Sequence, residues 1–253
     1  MIEPAVPDGP PAADGGLWRR TARAWRRHGP IRFVYLVFFN LFHAARRLVW
    51  RNPIERTNAA FDRKYGTDTA GGCGAGNIDI DSSSVALAIE YQTTKGDYFQ
   101  SLMDRLEIDH SRHTFIDFGS GKGKMLLLAS AYPFREILGV ELSSALHRIA
   151  EKNLAIYRDP GQRCTKLRAI CADALAFEPP PGPLVCFLYN PFQAAILRGV
   201  LENLERSLGR EPRDMLVVYM HPLHRELLDR SKRWELLDEG PDHSIYRALP
   251  AGN

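Results

Sequence analysis

The stretch Thr114 to Ala129, reading T-F-I-D-F-G-S-G-K-G-K-M-L-L-L-A, constrains the fold of this chain more than any other. A short apolar run (Phe115, Ile116, Phe118) enters a loop with glycines at 119, 121 and 123. A second apolar run, Met125 to Ala129, leaves it at once. That order predicts a buried parallel strand, a tight turn and a helix that starts immediately. Glycine lets the backbone turn sharply and approach a ligand with no Cβ in the way. The first turn of the helix offers free N–H groups to an electron-rich partner.

Spacing narrows the ligand. A dinucleotide loop follows G-x-G-x-x-G, and the place of its third glycine is taken here by Lys124. The pattern is instead acid-x-G-x-G-x-G, with Asp117 leading Gly119, Gly121 and Gly123. Glu136 to Glu141 (E-I-L-G-V-E) reads as a second strand ending in an acid, 24 positions after Asp117. One carboxylate there can accept from both hydroxyls of a ribose. Leu167 to Asp173 reads as a third strand ending in an acid. Leu184 to Phe192 reads as a fourth, ending in Asn190-Pro191-Phe192. Four strand ends thus carry polar groups to one edge of one sheet, where open α/β folds bind ligands.

The loop from Asp117 to Gly123 resembles motif I of the class I methyltransferases that use S-adenosylmethionine (SAM). The resemblance implies a Rossmann-like, doubly wound, mostly parallel seven-stranded sheet. It also implies that SAM binds and S-adenosylhomocysteine leaves. Asp117 would lie near the methionine end of the cofactor, with Gly119, Ser120, Gly121 and Gly123 passing beneath it. Glu141 would hold the ribose, Asp173 would face the adenine amino group, and Asn190 would border the site. F-I-D-F-G-S-G-K-G-K is close to the D-L/F-G-S-G-x-G loop of histone-lysine-type seven-strand enzymes and their bacterial relatives. Asn190-Pro191-Phe192, preceded by Tyr189, resembles the Asn/Asp-Pro-Pro-aromatic motif of amino-methyltransferases with one proline fewer. These four residues are the catalytic candidates, and the reaction implied is transfer to a nitrogen, on a protein lysine or another amine. His221 ends the predicted fifth strand, Met215 to Met220, with His224 three positions on. A histidine there suits a hydroxyl acceptor, which keeps O-methylation of a small molecule as the rival. A non-catalytic SAM-binding scaffold tethered by its N-terminal arm is the alternative of another class.

The chain divides into a Pro/Ala/Gly-rich tail over 1–16, expected to be disordered, and a basic, aromatic helical extension over 17–65. A glycine-rich loop over 66–84 and the catalytic domain over 85–250 follow. Leu17 to Arg51 holds nine arginines and no acid around the apolar run Phe33 to Phe42, which is too short for a bilayer span. Read as a helix, its apolar stripe fits packing on the domain or on a second copy in a homodimer. It also fits peripheral contact with a membrane. Phe61 to Ile80 reads as loop. Tyr91-Gln92-Thr93-Thr94 precedes a helix carrying Phe99, Leu102, Met103 and Leu106. The resemblance implies that a tyrosine-containing segment just before this helix borders the cofactor or the acceptor pocket, so Tyr91 and Thr93 are further candidates. Ala194 to Leu208 reads as a helix, and Trp234 to Asp238 and His243 to Leu249 as the closing strands.

Residues 1–64 carry 12 basic and 5 acidic side chains, a balance of +7, and the remainder carries 21 and 25, a balance of −4. The mildly acidic body weighs against a nucleic-acid partner. Four cysteines form no C-x-x-C pair and no metal-ligand spacing, so no metal is expected. Cys171 and Cys186 fall in predicted strands and read as buried thiols, which favours a reducing cytoplasm, with membrane association left open by residues 17–51.

Overall fold

The computed structural model describes residues 53–70 and 96–250. The expectations for the tail, the arm as far as residue 52, the glycine-rich segment from 71, Cys73, Tyr91 and Thr93 lie outside the described residues. From Ile54 onward the described residues belong to one compact unit.

Seven strands run β1 (Thr114–Phe118), β2 (Glu136–Glu141), β3 (Leu167–Cys171), β4 (Leu184–Tyr189), β5 (Met215–Met220), β6 (Trp234–Gly240) and β7 (His243–Ala248). They form one sheet in the order β3-β2-β1-β4-β5-β7-β6. β1 pairs in parallel with β2 on one side and β4 on the other, so the strand order reverses at β1. A crevice opens at such a point, beyond the strands' C-terminal ends. β7 is antiparallel to both β5 and β6.

Helices α1 (Pro53–Tyr65), α2 (Gly96–Arg105), α3 (Lys124–Ala129), α4 (Ser144–Ile156), α5 (Ala194–Arg210) and α6 (Glu226–Asp229) surround the sheet. Alternation along each strand builds two cores. Phe115, Ile137, Phe187, Val218 and Ile245 face Phe99, Leu102 and Met103 of α2 and the apolar run of α3. Ile116, Phe118, Leu138, Leu188 and Val217 face Leu197, Val200, Leu201 and Leu204 of α5. The rings of Phe99 and Phe115 meet edge-on at 6.0 Å, and those of Phe99 and Phe187 at 5.3 Å. Each such pair contributes about 0.5–1.5 kcal/mol beyond the area it buries. α2 is thereby fixed over β1 and β4.

Four sequence expectations need correction. Phe61 to Tyr65 is the last turn of α1, not loop. Phe61 and Tyr65 both pack on Tyr157, with ring centroids 6.0 and 4.7 Å away, and that tertiary contact outweighs the polar local pattern. Strand β3 stops at Cys171, two residues before Asp173, and β4 stops at Tyr189. Cys186 is buried but Cys171 is exposed, because β3 is an edge strand with one side uncovered.

Candidate functional site

The site is built at the C-terminal ends of β2, β1 and β4. Gly119, Gly121 and Gly123 all have positive φ (78°, 53° and 81°), a conformation that favours glycine. A Cβ on Gly119 would lie 2.5 Å from the Cβ of Pro191. The loop after β1 therefore touches the loop after β4, and this contact brings the Asn190 segment to the glycine turn. On Gly123 a Cβ would sit 3.2 Å from that of Ala150, so α4 closes on the turn as well. The backbone N–H groups of Gly119 and Ser120 donate to the Val140 carbonyl, at 2.8 and 3.1 Å.

Asp117 is 2% exposed, and its carboxylate has no hydrogen bond among the described residues. Burial, and then the neighbouring Glu141, push its pKa up to about 8. Glu141 accepts from the Gly121 N–H at 2.9 Å and from the Ser143 N–H at 2.8 Å. Burial raises its pKa against the pull of those hydrogen bonds. The Ser120 hydroxyl is buried with no partner among the described residues. A buried acid and a buried hydroxyl left without partners beside a glycine turn are what a polar ligand would satisfy. Asp173 lies apart from this cluster in character: it is exposed, and its carboxylate accepts from the Leu175 N–H at 2.9 Å, closing a turn.

Asn190 and His221, which follow β4 and β5, are the two non-glycine residues with positive φ among those described, at 39° and 46°. Such backbone costs on the order of 1–3 kcal/mol and persists where surrounding structure holds it. The Tyr219 hydroxyl donates to the Asn190 side-chain oxygen at 3.2 Å. The ring of Tyr189 meets that of His221 edge-on at 5.2 Å. His221 is 40% exposed and pairs with Asp242 at 3.3 Å. His224 pairs with Glu226 at 3.8 Å on the way into α6. Phe192 packs against the α5-side core.

Several residues that position the site carried no sequence signal of their own. Gly139 of β2 leaves room for Ser120, whose oxygen would be 2.7 Å from a Cβ there. Tyr219 holds Asn190. Lys122 donates to Asp68 and to the Ala70 carbonyl, both at 2.8 Å, and Asn153 clasps the backbone of Asp68 and Lys122. Lys124, in the place of the missing third glycine, reaches the Asn58 side chain, and burial lowers its pKa to about 8. Together these contacts strap α1 and residues 67–70 onto the glycine turn.

The family model described as "Histone methylation protein DOT1" matches residues 87–166, a span that includes the glycine turn and Glu141. No match was found among curated proteins. Solved structures similar to this chain include a putative methyltransferase, yhhF, from Escherichia coli, 18% identical with a TM-score of 0.48, covering 64% of this chain and 90% of that one. A ribosomal protein L11 methylase from Lactobacillus delbrueckii subsp. bulgaricus is 16% identical with a TM-score of 0.44, over 65% and 82% of the two chains. An RNA methyltransferase from Salinibacter ruber, in complex with S-adenosyl-L-homocysteine, is 15% identical with a TM-score of 0.43, over 64% and 96%.

Proposed function

We propose that this chain, whose seven-stranded fold is that of the class I methyltransferases, moves a methyl group from SAM to a nitrogen acceptor, a protein lysine or another amine. One observation carries the reading: a buried carboxylate without a hydrogen bond among the described residues (Asp117) and a pre-oriented one (Glu141) flank a left-handed glycine turn at the strand-order reversal. The residues fit the cofactor. Asp117 can take the ammonium of its methionine end, and the Ser120 hydroxyl is free to bond a polar group. Glu141, aimed by two backbone N–H groups, retains lone pairs for the ribose hydroxyls. Asp173 would meet the adenine amino group by giving up or sharing its turn bond. When bound, the cofactor supplies a methyl on a sulfonium, already activated for in-line displacement.

The protein's own task is then to align the acceptor and exclude water. Asn190 offers an amide whose orientation Tyr219 holds, and the backbone carbonyls of Tyr189 and Asn190 are further acceptors for N–H. The ring of Phe192 would stabilise positive charge arriving on the nitrogen. A protein acceptor is supported by the match to the histone methylation family model. A basic acceptor also suits a body whose balance is −4. A second reading, O-methylation with His221 as base, is favoured by the His221–Asp242 pair.

The deciding experiment follows labelled methyl transfer from SAM to whole-cell extract, alongside calorimetric titration of SAM. Asn190→Ala should lower the transfer rate strongly and leave SAM affinity near wild type, because the lost interaction belongs to the transition state. His221→Ala should have a small effect. The reverse ranking would assign a hydroxyl acceptor, and a wild-type protein that does not bind SAM would remove the whole reading.

A further inference from the structure

A row of side chains that ends in a buried histidine crosses β4, β5 and β7 at the sheet edge next to Asn190. In register across three strands, Tyr189 of β4 faces Met220 of β5, and Met220 faces His243 of β7. Strands lie about 4.8 Å apart, so His243 sits roughly 10 Å along this row from Tyr189. Tyr189, Met220 and Ile245 all belong to the α2-side core, and alternation puts His243 on that same face. Tyr98 of α2 packs against this core, and its hydroxyl lies 2.8 Å from His243 Nδ1. His243 Nε2 lies 3.2 Å from Asp238 Oδ2, which also accepts from Arg105 at 3.1 Å.

The arrangement is specifically accommodated. His243 is 3% exposed, and a Cβ on its strand partner Gly240 would stand 2.5 Å from its ring. With Nε2–H donating to Asp238, His243 Nδ1 accepts from the Tyr98 hydroxyl, which leaves the phenol oxygen's lone pairs for another donor. Tyr98 itself is only part-buried.

Resting on the nitrogen-acceptor reading, we propose that Tyr98, His243 and Asp238 form the relay that removes the acceptor's proton, with the Tyr98 oxygen touching the acceptor. An ammonium proton passes to the Tyr98 oxygen as the phenolic proton passes to His243 Nδ1. The nitrogen keeps the electron pair it needs as nucleophile. The proton ends on an imidazolium held against the Asp238 carboxylate.

Charges around the chain agree with this direction of transfer. Burial, then Asp242, and to a smaller degree Asp238 against the opposing Arg105, hold the Tyr98 phenol above its usual pKa. It therefore stays protonated and passes a proton on, rather than standing as a phenolate. The hydrogen bond from His243, with Arg105 beside it, holds Asp238 below the usual carboxylate range and keeps it charged. Asp242, next to His243 in the chain, also pairs with His221, which abuts Tyr189.

The test uses the full chain, labelled SAM and whole-cell extract as acceptor, with initial rates from pH 6 to 10 and SAM affinity by titration. Tyr98→Phe removes one oxygen and keeps the ring in place. It should lower the rate at pH 7 by about tenfold or more with unchanged SAM affinity, since a positioned base contributes at least that much. The defect should shrink toward pH 10, where amines lose their proton in solution. His243→Ala should fall similarly and regain rate with added imidazole, which should do nothing for Tyr98→Phe. A Tyr98→Phe rate equal to wild type at pH 7, or a loss that is the same at every pH, overturns the relay. Wild-type transfer in the same assay would then leave the methyltransferase reading standing. Absence of transfer by the wild type overturns both.

Discussion

At Asp117 a carboxylate is enclosed on a sheet face without a hydrogen-bond partner among the described residues, and Glu141 stands at the end of the adjacent strand. Burial first, and Glu141 second, raise its pKa to about 8, so the free protein holds it protonated at neutral pH. A folded-state value above the unfolded one near 3.8 has a definite sign. Its contribution to stability is complete below the unfolded value and is lost as pH rises through about 8. Asp117→Asn abolishes that loss, so its melting temperature should gain on wild type from pH 5 to about pH 8 and level off above it in scanning calorimetry. A cationic ligand reverses the preference and draws the ionised form. SAM binding at pH 7 should therefore release a proton, read as a binding heat that depends on the buffer's ionisation enthalpy, and Asp117→Asn should lose that dependence. A melting difference flat in pH would mean that Asp117 is ionised throughout.

Among the elements, α1 and the turn after it are joined to the glycine loop by polar contacts rather than by a broad apolar face. Asp62 accepts from Thr67, Thr69 and Ala70 and sets that turn. Asn153 of α4 then bonds the Asp68 N–H at 2.8 Å, the Asp68 carbonyl at 3.0 Å and the Lys122 carbonyl at 2.9 Å. Truncating that side chain leaves three backbone groups unmatched. Asn153→Ala should cost about 1–3 kcal/mol in urea unfolding, the range for stranding a buried polar group. Amide exchange over 67–70 should quicken while β1 and β4 stay protected. An unchanged exchange pattern would show that Lys122 alone holds the strap.

For the whole molecule, charge and fold divide at nearly the same place. The balance of +7 lies within residues 1–64, and the compact unit that holds the sheet begins at Ile54. Among the described residues, both apolar cores are filled from Phe99 onward, with Phe61 and Tyr98 at the margin. A chain lacking residues 1–51 should accordingly unfold in a single thermal transition and bind SAM as the full chain does. Precipitation of the truncated chain, or a lower melting temperature with SAM binding retained, would assign the arm to the domain rather than to a membrane or another partner.

Much of this protein was determined by local sequence. Buried parallel strands are short apolar runs, so β2, β4 and β5 start where E-I-L-G-V-E, L-V-C-F-L-Y and M-L-V-V-Y-M start. Three glycines at alternate positions after such a run leave only a left-handed turn into a helix, and the acids follow at strand ends. These features are legible because periodicity and conformational freedom are properties of neighbouring residues. Tertiary structure alone decided which distant groups meet. Pro191 against Gly119, Ser120 in the space of Gly139, and Tyr98 with His243 across 145 positions have no local signature. Cys171 is exposed for the same reason that Cys186 is buried: both lie on apolar strands, but only the finished sheet has an edge.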